Sequence, residues 1–202
     1  MKYLIVLLLI LCSFSSFSKV KKEKHAGKVV SIMGNYEGQI KINLTGENED
    51  QIEIELGTVT EKSKGSKYTQ KNSITLNVAA IRSIEIEGKM YVIRNIEFEM
   101  NKFYNNCCVQ QETSTKMVTL YNWQQNKKTT IHALQFNGSS AAKTLQMPSL
   151  INMISTFRNC KTLYEKIRAK ENGYVIDANA TEEERYIIWK KLIEESNNCP
   201  TE

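Results

Sequence analysis

Three stretches of the chain alternate strictly between polar and apolar residues. They are Gln39-Ile40-Lys41-Ile42-Asn43-Leu44-Thr45, Gln51-Ile52-Glu53-Ile54-Glu55-Leu56 and Ser83-Ile84-Glu85-Ile86-Glu87. A period of two places the apolar side chains on one face of a sheet and the charges on the other. Strands with one dry and one wet face favour antiparallel pairing. Turn signals separate them at Gly34-Asn35, Gly46-Glu47-Asn48, Lys64-Gly65-Ser66 and Gly88-Lys89. Residues 86–93 read as a tight hairpin about Gly88, which accepts the positive φ such a turn needs. Residues 117–121 and 129–136 predict two more strands, with Asn126-Lys127-Lys128 as the turn between them. Short strands at regular spacing are the pattern of a β-sandwich or small barrel.

The period changes after Gly138. Met147-Pro148-Ser149 opens a helical stretch with Leu150, Ile151 and Ile154 at helical spacing. Asn159 is placed to cap a second helix carrying Leu163 and Ile167. Thr181-Glu182-Glu183-Glu184 forms a capping box, with acids in the first turn where the helix dipole favours them. Tyr186, Trp189 and Ile193 then share one face, flanked by Ile188 and Leu192, and that stripe predicts a helix docked on the domain. The expected fold class is α+β: an antiparallel β-rich sandwich or small barrel over residues 28–138, followed by a C-terminal helical segment over 139–202 packed on it.

The first residues follow another logic. Met1-Lys2-Tyr3 carries one positive charge, residues 4–11 are apolar without a break, and residues 12–18 are small and weakly polar. This is the make-up of a secretory signal peptide ending near Ser18. The apolar run is short of the roughly 20 residues a spanning helix needs, so no transmembrane span is expected in the mature chain. Cys12 raises the option of lipidation, but Leu11 before it is bulky where a small residue is wanted. The expected location is outside the cytoplasm, in the periplasm, the outer envelope or the medium. Residues 19–27 read as a flexible basic leader, with Lys19, Lys21, Lys22 and Lys24.

Removing Lys2 with the leader leaves 26 basic residues against 22 acidic, an excess too mild and too scattered for a nucleic-acid footprint. Four cysteines remain: Cys107, Cys108, Cys160 and Cys199. Exported proteins oxidise cysteines in pairs, and four allow three pairings between which sequence does not choose. Cys160 with Cys199 is favoured because that bridge would staple the helical tail. Cys107-Cys108 then stands as a candidate redox pair, to be weighed against two reduced thiols. Neither His25 nor His132 has metal-ligand spacing, and no metal or cofactor is expected. His132 falls on the polar side of a strand, where a surface histidine is expected. There is no Gly-rich phosphate loop after a strand and no nucleophile elbow. The carboxylate pairs Glu53/Glu55 and Glu85/Glu87 are what any charged strand face supplies.

An export leader, Ile84-Glu85-Ile86-Glu87-Gly88-Lys89-Met90-Tyr91, Leu120-Tyr121, Asn159-Cys160-Lys161-Thr162-Leu163 and a distant Cys199 are found together here. In this the chain resembles a loose group of exported proteins of unknown function from Bacteroidota. Cys107-Cys108 is outside that pattern. The resemblance implies location and architecture and transfers no catalytic residue. The expected function is a non-catalytic binding or structural protein of the cell envelope, facing an unidentified envelope protein or ligand. The alternatives are an enzyme using Cys107-Cys108, or a carrier of a small apolar ligand inside a barrel.

Overall fold

The computed structural model describes residues 22–63 and 66–199. The signal-peptide expectation, Cys12, the first three residues of the basic leader and the turn at Lys64-Gly65 lie outside the described residues. The described residues form one ten-stranded sheet and three α-helices. The strands are β1 (Lys24–Ser31), β2 (Gly34–Lys41), β3 (Gln51–Ser63), β4 (Ser66–Asn77), β5 (Ile81–Ile86), β6 (Lys89–Glu99), β7 (Lys102–Ser114), β8 (Val118–Asn126), β9 (Thr129–Phe136) and β10 (Ala142–Thr144). The helices are α1 (Leu150–Phe157), α2 (Lys161–Arg168) and α3 (Glu182–Asn197). The order across the sheet is β10-β9-β8-β7-β6-β5-β1-β2-β3-β4. β10 also pairs with β6, in parallel, at Ala142↔Ile96 and Lys143↔Glu97. That pairing closes β6 to β10 into a five-stranded barrel, and β5 and β1 to β4 extend from its wall. The fold is therefore α+β, and closure decides for a barrel with an appended sheet.

The turns show why the strands pair as they do. β5 and β6 join through Glu87 (φ 53) and Gly88 (φ 75), the pair of left-handed residues a two-residue hairpin needs. β8 and β9 turn at Lys127 and Lys128, where the Asn126 side-chain oxygen accepts from both Lys128 N–H (2.9 Å) and Thr129 N–H (3.0 Å). The turn expected at Gly34-Asn35 lies two residues earlier, at Ile32-Met33. Ser31 Oγ accepts from Met33 N–H at 3.0 Å there, a polar turn closure in place of a glycine. Gly27 and Gly38 face each other across β1 and β2. A Cβ on either would lie 2.2 Å from a carbonyl oxygen of the neighbouring strand, so only glycine permits the bend of the sheet here.

Three cores result. Ile96, Cys107, Val109, Tyr121, Trp123, Ala133 and Ala142 fill the barrel. Val29, Ile40, Ile42, Ile52, Ile54, Leu76, Ile84, Ile86 and Cys108 fill the curl of the appended sheet. Val118, Leu120 and Leu134 on the barrel's outer wall pack against Met153, Phe157, Leu163, Ile167, Trp189, Leu192 and Ile193 of the helices. Trp189 is fully buried, with its ring 5.9 Å from those of Phe136 and Phe157.

Some expected boundaries move. Residues 24–27 belong to β1 and not to a flexible leader, because Lys24 Nζ lies 2.8 Å from the buried carboxylate of Glu55, which also takes Lys41 at 3.1 Å. Lys22 pairs with Glu49 at 2.9 Å. The region after Gly138 holds the barrel-closing strand β10 before any helix. Pro148 stands before the cap: Ser149 caps α1, with its N–H on the Asn152 side chain at 2.8 Å. Ile151 points outward, 76% exposed, while Met153 and Phe157 face the core. Cys160, and not Asn159, caps α2, with Leu163 and Ile167 buried as their spacing predicts. The Thr181 capping box forms as read, Thr181 N–H donating to Glu184 at 2.7 Å and Glu184 N–H to Thr181 Oγ1 at 3.3 Å.

Cys160 and Cys199 sit at disulfide distance, Cα to Cα 5.7 Å and 39 residues apart. The bond ties the start of α2 to the end of α3. Replacing both with serine is expected to lower unfolding free energy by about 2–4 kcal/mol, through the freedom returned to the unfolded chain. Urea unfolding of the oxidised protein and the double variant measures it; equal midpoints would contradict the staple.

Candidate binding site at the open end of the barrel

The two ends of the barrel are built differently. At one end, residues 42–50 between β2 and β3 fold across it. Gly46 N–H donates to the Gln124 carbonyl at 3.0 Å, and the indole N–H of Trp123 donates to the Gly46 carbonyl at 3.3 Å. Gly46 (φ +79) makes the turn that permits this approach. Asn48 is buried and pins the loop to itself and to the barrel: its oxygen accepts from Asn43 N–H (2.8 Å), and its amide donates to the carbonyls of Asn43 (3.0 Å) and Asn106 (3.1 Å).

At the other end the core finishes in a polar layer. Arg94 lies opposite Cys107 on the β6–β7 ladder, and so on the face that looks into the barrel. Its Nε donates to Gln135 Oε1 at 2.8 Å and its Nη1 to the Ile93 carbonyl at 2.8 Å. Tyr121 OH donates to the same Gln135 oxygen at 3.2 Å, and the guanidinium lies over the Tyr121 ring, 5.9 Å from its centre. Gln135 Nε2 donates to the Ser139 carbonyl at 2.8 Å. Above this layer is a cleft of about 280 Å³ between the β7–β8 and β9–β10 connections, lined by Arg94, residues 115–119, Tyr121 and residues 135–139. The described lining carries two cations, Arg94 and Lys116, and no acid. Thr115 shapes one wall, its Oγ1 accepting from Met117 N–H (3.1 Å) and Val118 N–H (3.2 Å). The sequence marks Tyr121 only as the end of a Leu120-Tyr121 strand, and marks neither Arg94 nor Gln135 for a site. Arg94 is one charge after the apolar run Met90-Tyr91-Val92-Ile93, and only the register with Cys107 shows that it turns inward.

A second cleft, of about 240 Å³, lies on the outer face of β2, β1, β5 and β6, with Val30, Tyr36 and Met90 among charged residues. It is an open surface cleft, and Val29 and Tyr36 in its lining belong to the apolar core of the appended sheet.

The expected redox pair is placed with its thiols apart. Cys107 belongs to the barrel core and Cys108 to the core of the appended sheet, since neighbours on a strand point to opposite faces. Both are fully buried and free. Burial pushes the Cys108 thiol up to about 12 and raises that of Cys107 as well, so neither holds the thiolate that redox chemistry requires.

His132 is not the surface histidine expected. It is half-buried beneath α3, stacked on Tyr186 with ring centres 4.1 Å apart. Its Nδ1 lies 2.7 Å from Asn122 Oδ1. Asn122 Nδ2 donates to Glu112 at 2.9 Å, and the other Glu112 oxygen takes Lys190 and, at 3.3 Å, Tyr186 OH. Asn122 uses its amide on Glu112, so its oxygen accepts and the neutral imidazole carries its proton on Nδ1. The network joins β7, β8 and β9 to the helix. Among the described residues no three His, Cys, Asp or Glu side chains gather as a metal site. Glu53 and Glu55, paired on the sequence, are neutralised by Lys41 at 2.7 and 3.1 Å.

Two outcomes follow from these surroundings. Iodoacetamide is expected to leave Cys107 and Cys108 unmodified in the folded protein and to alkylate both in urea, read by mass; rapid native labelling of either would contradict the burial. Burial lowers the His132 pKa below 6.5, against the opposing pull of Glu182, Glu183 and Glu112. Lys190 pairs with Glu112 and weakens that pull. The folded protein therefore binds its proton later than the unfolded chain. Stability is full above about pH 6.5 and falls as the pH drops through the window between the two values. Thermal melts between pH 7.5 and 5.5 are expected to fall more for the native protein than for His132→Gln, and parallel curves would remove His132 from the account. No protein-family model, no curated protein and no solved structure matches this chain.

Proposed function

We propose that the chain is an exported, non-catalytic binding protein of the cell envelope that takes a small ligand in the cleft at the open barrel end. The observation that carries this reading is the asymmetry of the barrel. One end is plugged by residues 42–50, and the other ends in hydrogen-bonded polar side chains beneath a cleft. Arg94, Tyr121 and Gln135 hold one another in place without a ligand, and preorganised polar groups at the mouth of a β-barrel are a common way to build a site. Carriage of an apolar ligand inside the barrel finds its lumen occupied by Trp123, Tyr121, Ile96 and Val109. The Cys160–Cys199 pair is compatible with export, because such bonds persist in oxidising compartments. The likeness to exported Bacteroidota proteins points the same way.

Fractionation of the native host with intact mass and a non-reducing peptide map tests the reading. The expected result is an envelope or medium fraction, a mature start near Lys19 and a linked Cys160–Cys199 peptide. A cytoplasmic protein with reduced cysteines would overturn it.

A further inference from the structure

We propose that the cleft at the open barrel end is an oxyanion site, in which Arg94 receives a carboxylate or phosphate group of a ligand no larger than an amino acid or a single sugar ring. The inference rests on the reading of this cleft as the ligand site and names the chemistry it takes.

Arg94 is half-buried at the end of the barrel core. Its two hydrogen-bond partners are neutral: the Gln135 side-chain oxygen and the Ile93 carbonyl. None of the ion pairs among the described residues includes it. Arg82, Arg158 and Arg168 are exposed to water, and Arg185, half-buried at the start of α3, gives its donors to the loop carbonyls of Asp177, Ala178 and Ala180. A partly buried guanidinium without a counter-charge is costly, and proteins ordinarily pair such groups.

The side chain is also fixed. Gln135 holds Nε, the Ile93 carbonyl holds Nη1, and Tyr121 lies beneath the plane. A guanidinium has five donors, so three of the N–H groups remain unused. A planar fork with spare donors, held rigid and unpaired, is the geometry that binds a carboxylate or phosphate through two parallel hydrogen bonds. Lys116 adds a second positive charge at the rim, and the hydroxyls of Thr119 and Ser139 add neutral donors. No acid among the described lining residues competes for the charge. The volume of about 280 Å³ lies at the small end of ligand pockets and sets the size limit.

The test is a titration of the disulfide-bonded mature protein, followed by two-dimensional amide NMR. The probes are sodium phosphate, sodium glucuronate and neutral glucose, at constant ionic strength so that screening is matched. The expected result is a saturable shift confined to residues 94, 115–121 and 135–139 with at least one oxyanion. Saturation with phosphate alone assigns a phosphate ligand, and saturation with glucuronate alone assigns a carboxylate. Arg94→Lys is expected to weaken binding about tenfold, because an ammonium loses the two-point contact. Lys116→Gln is expected to weaken it less. Should Arg94→Lys fail to fold, as judged by dispersion of its amide spectrum, Lys116→Gln together with the map of shifted residues still decides. Glucose binding as well as the oxyanions in the same cleft would overturn the oxyanion inference and leave the ligand site standing. The absence of any saturable shift up to about 50 mM, well past the millimolar range of weak sites, would overturn it too, as would shifts scattered over the surface lysines.

Discussion

The parallel pairing of β10 with β6 is the contact on which the rest of the architecture depends. β10 is three residues long, yet it hydrogen-bonds to β9 on one side and β6 on the other. Without it, β6 to β9 would be part of an open antiparallel sheet with an exposed edge, the situation a barrel removes. Ala142, fully buried opposite Ile96, shows why the closing residue is small: Trp123 and Tyr121 already fill the lumen. Closure also fixes where the chain leaves the barrel. It emerges against the outer wall of β8 and β9, where Leu120 and Leu134 wait for the helices, and the Cys160–Cys199 bond holds those helices together.

β7 is the wall shared by two cores. Its lower half pairs with β6 and its upper half with β8, with two register shifts on the β6 side and one on the β8 side. Cys107 looks into the barrel, Cys108 into the appended sheet, and Val109 into the barrel again. Over Cys107, Cys108 and Val109 the strand is buried on both faces and has no polar phase, while most of the residues on either side are polar, so its sequence shows no alternation. That is why the strand over residues 102–114 is absent from the pattern while its neighbours are plain. It also recasts the adjacent cysteines: small, apolar-behaving side chains suit a strand that must pack tightly on both sides.

What was legible follows the same physics. Strands with one wet face, such as those carrying Ile52, Ile54, Ile84 and Ile86, announced themselves, and so did the cap of α3 at Thr181. Local chemistry fixes such elements. The hairpin at Glu87-Gly88 needed only its own two residues, whereas the turn at Ile32-Met33 is closed by Ser31 and carries no residue typical of turns. The start of β1 was hidden because its lysines look like a solvated leader until Glu55, 31 residues away, is placed beside Lys24. The site was hidden for a stronger reason. Arg94, Tyr121 and Gln135 come from three strands, and only closure and register bring them to one layer. No spacing along the chain encodes that meeting.

The barrel's two ends are sealed by different means. A barrel this small must seal its lumen from water at both ends, and apolar side chains do so most cheaply. At one end the chain spends a nine-residue loop and a buried asparagine on the seal. At the other it uses an arginine, a tyrosine hydroxyl and a glutamine that hydrogen-bond to one another and leave the arginine's charge and three of its N–H groups unmatched. If the layer served packing alone, leucine at position 94 would close the lumen with no charge to desolvate. An unmatched cation held in a fixed pose makes sense where its counter-charge arrives from outside the chain. The same reasoning separates it from the His132–Asn122–Glu112–Lys190 network under α3, in which Glu112 already balances Lys190. One polar cluster pairs its charges and binds a helix to the barrel; the other keeps a guanidinium with spare donors and no counter-charge, and faces an open cleft.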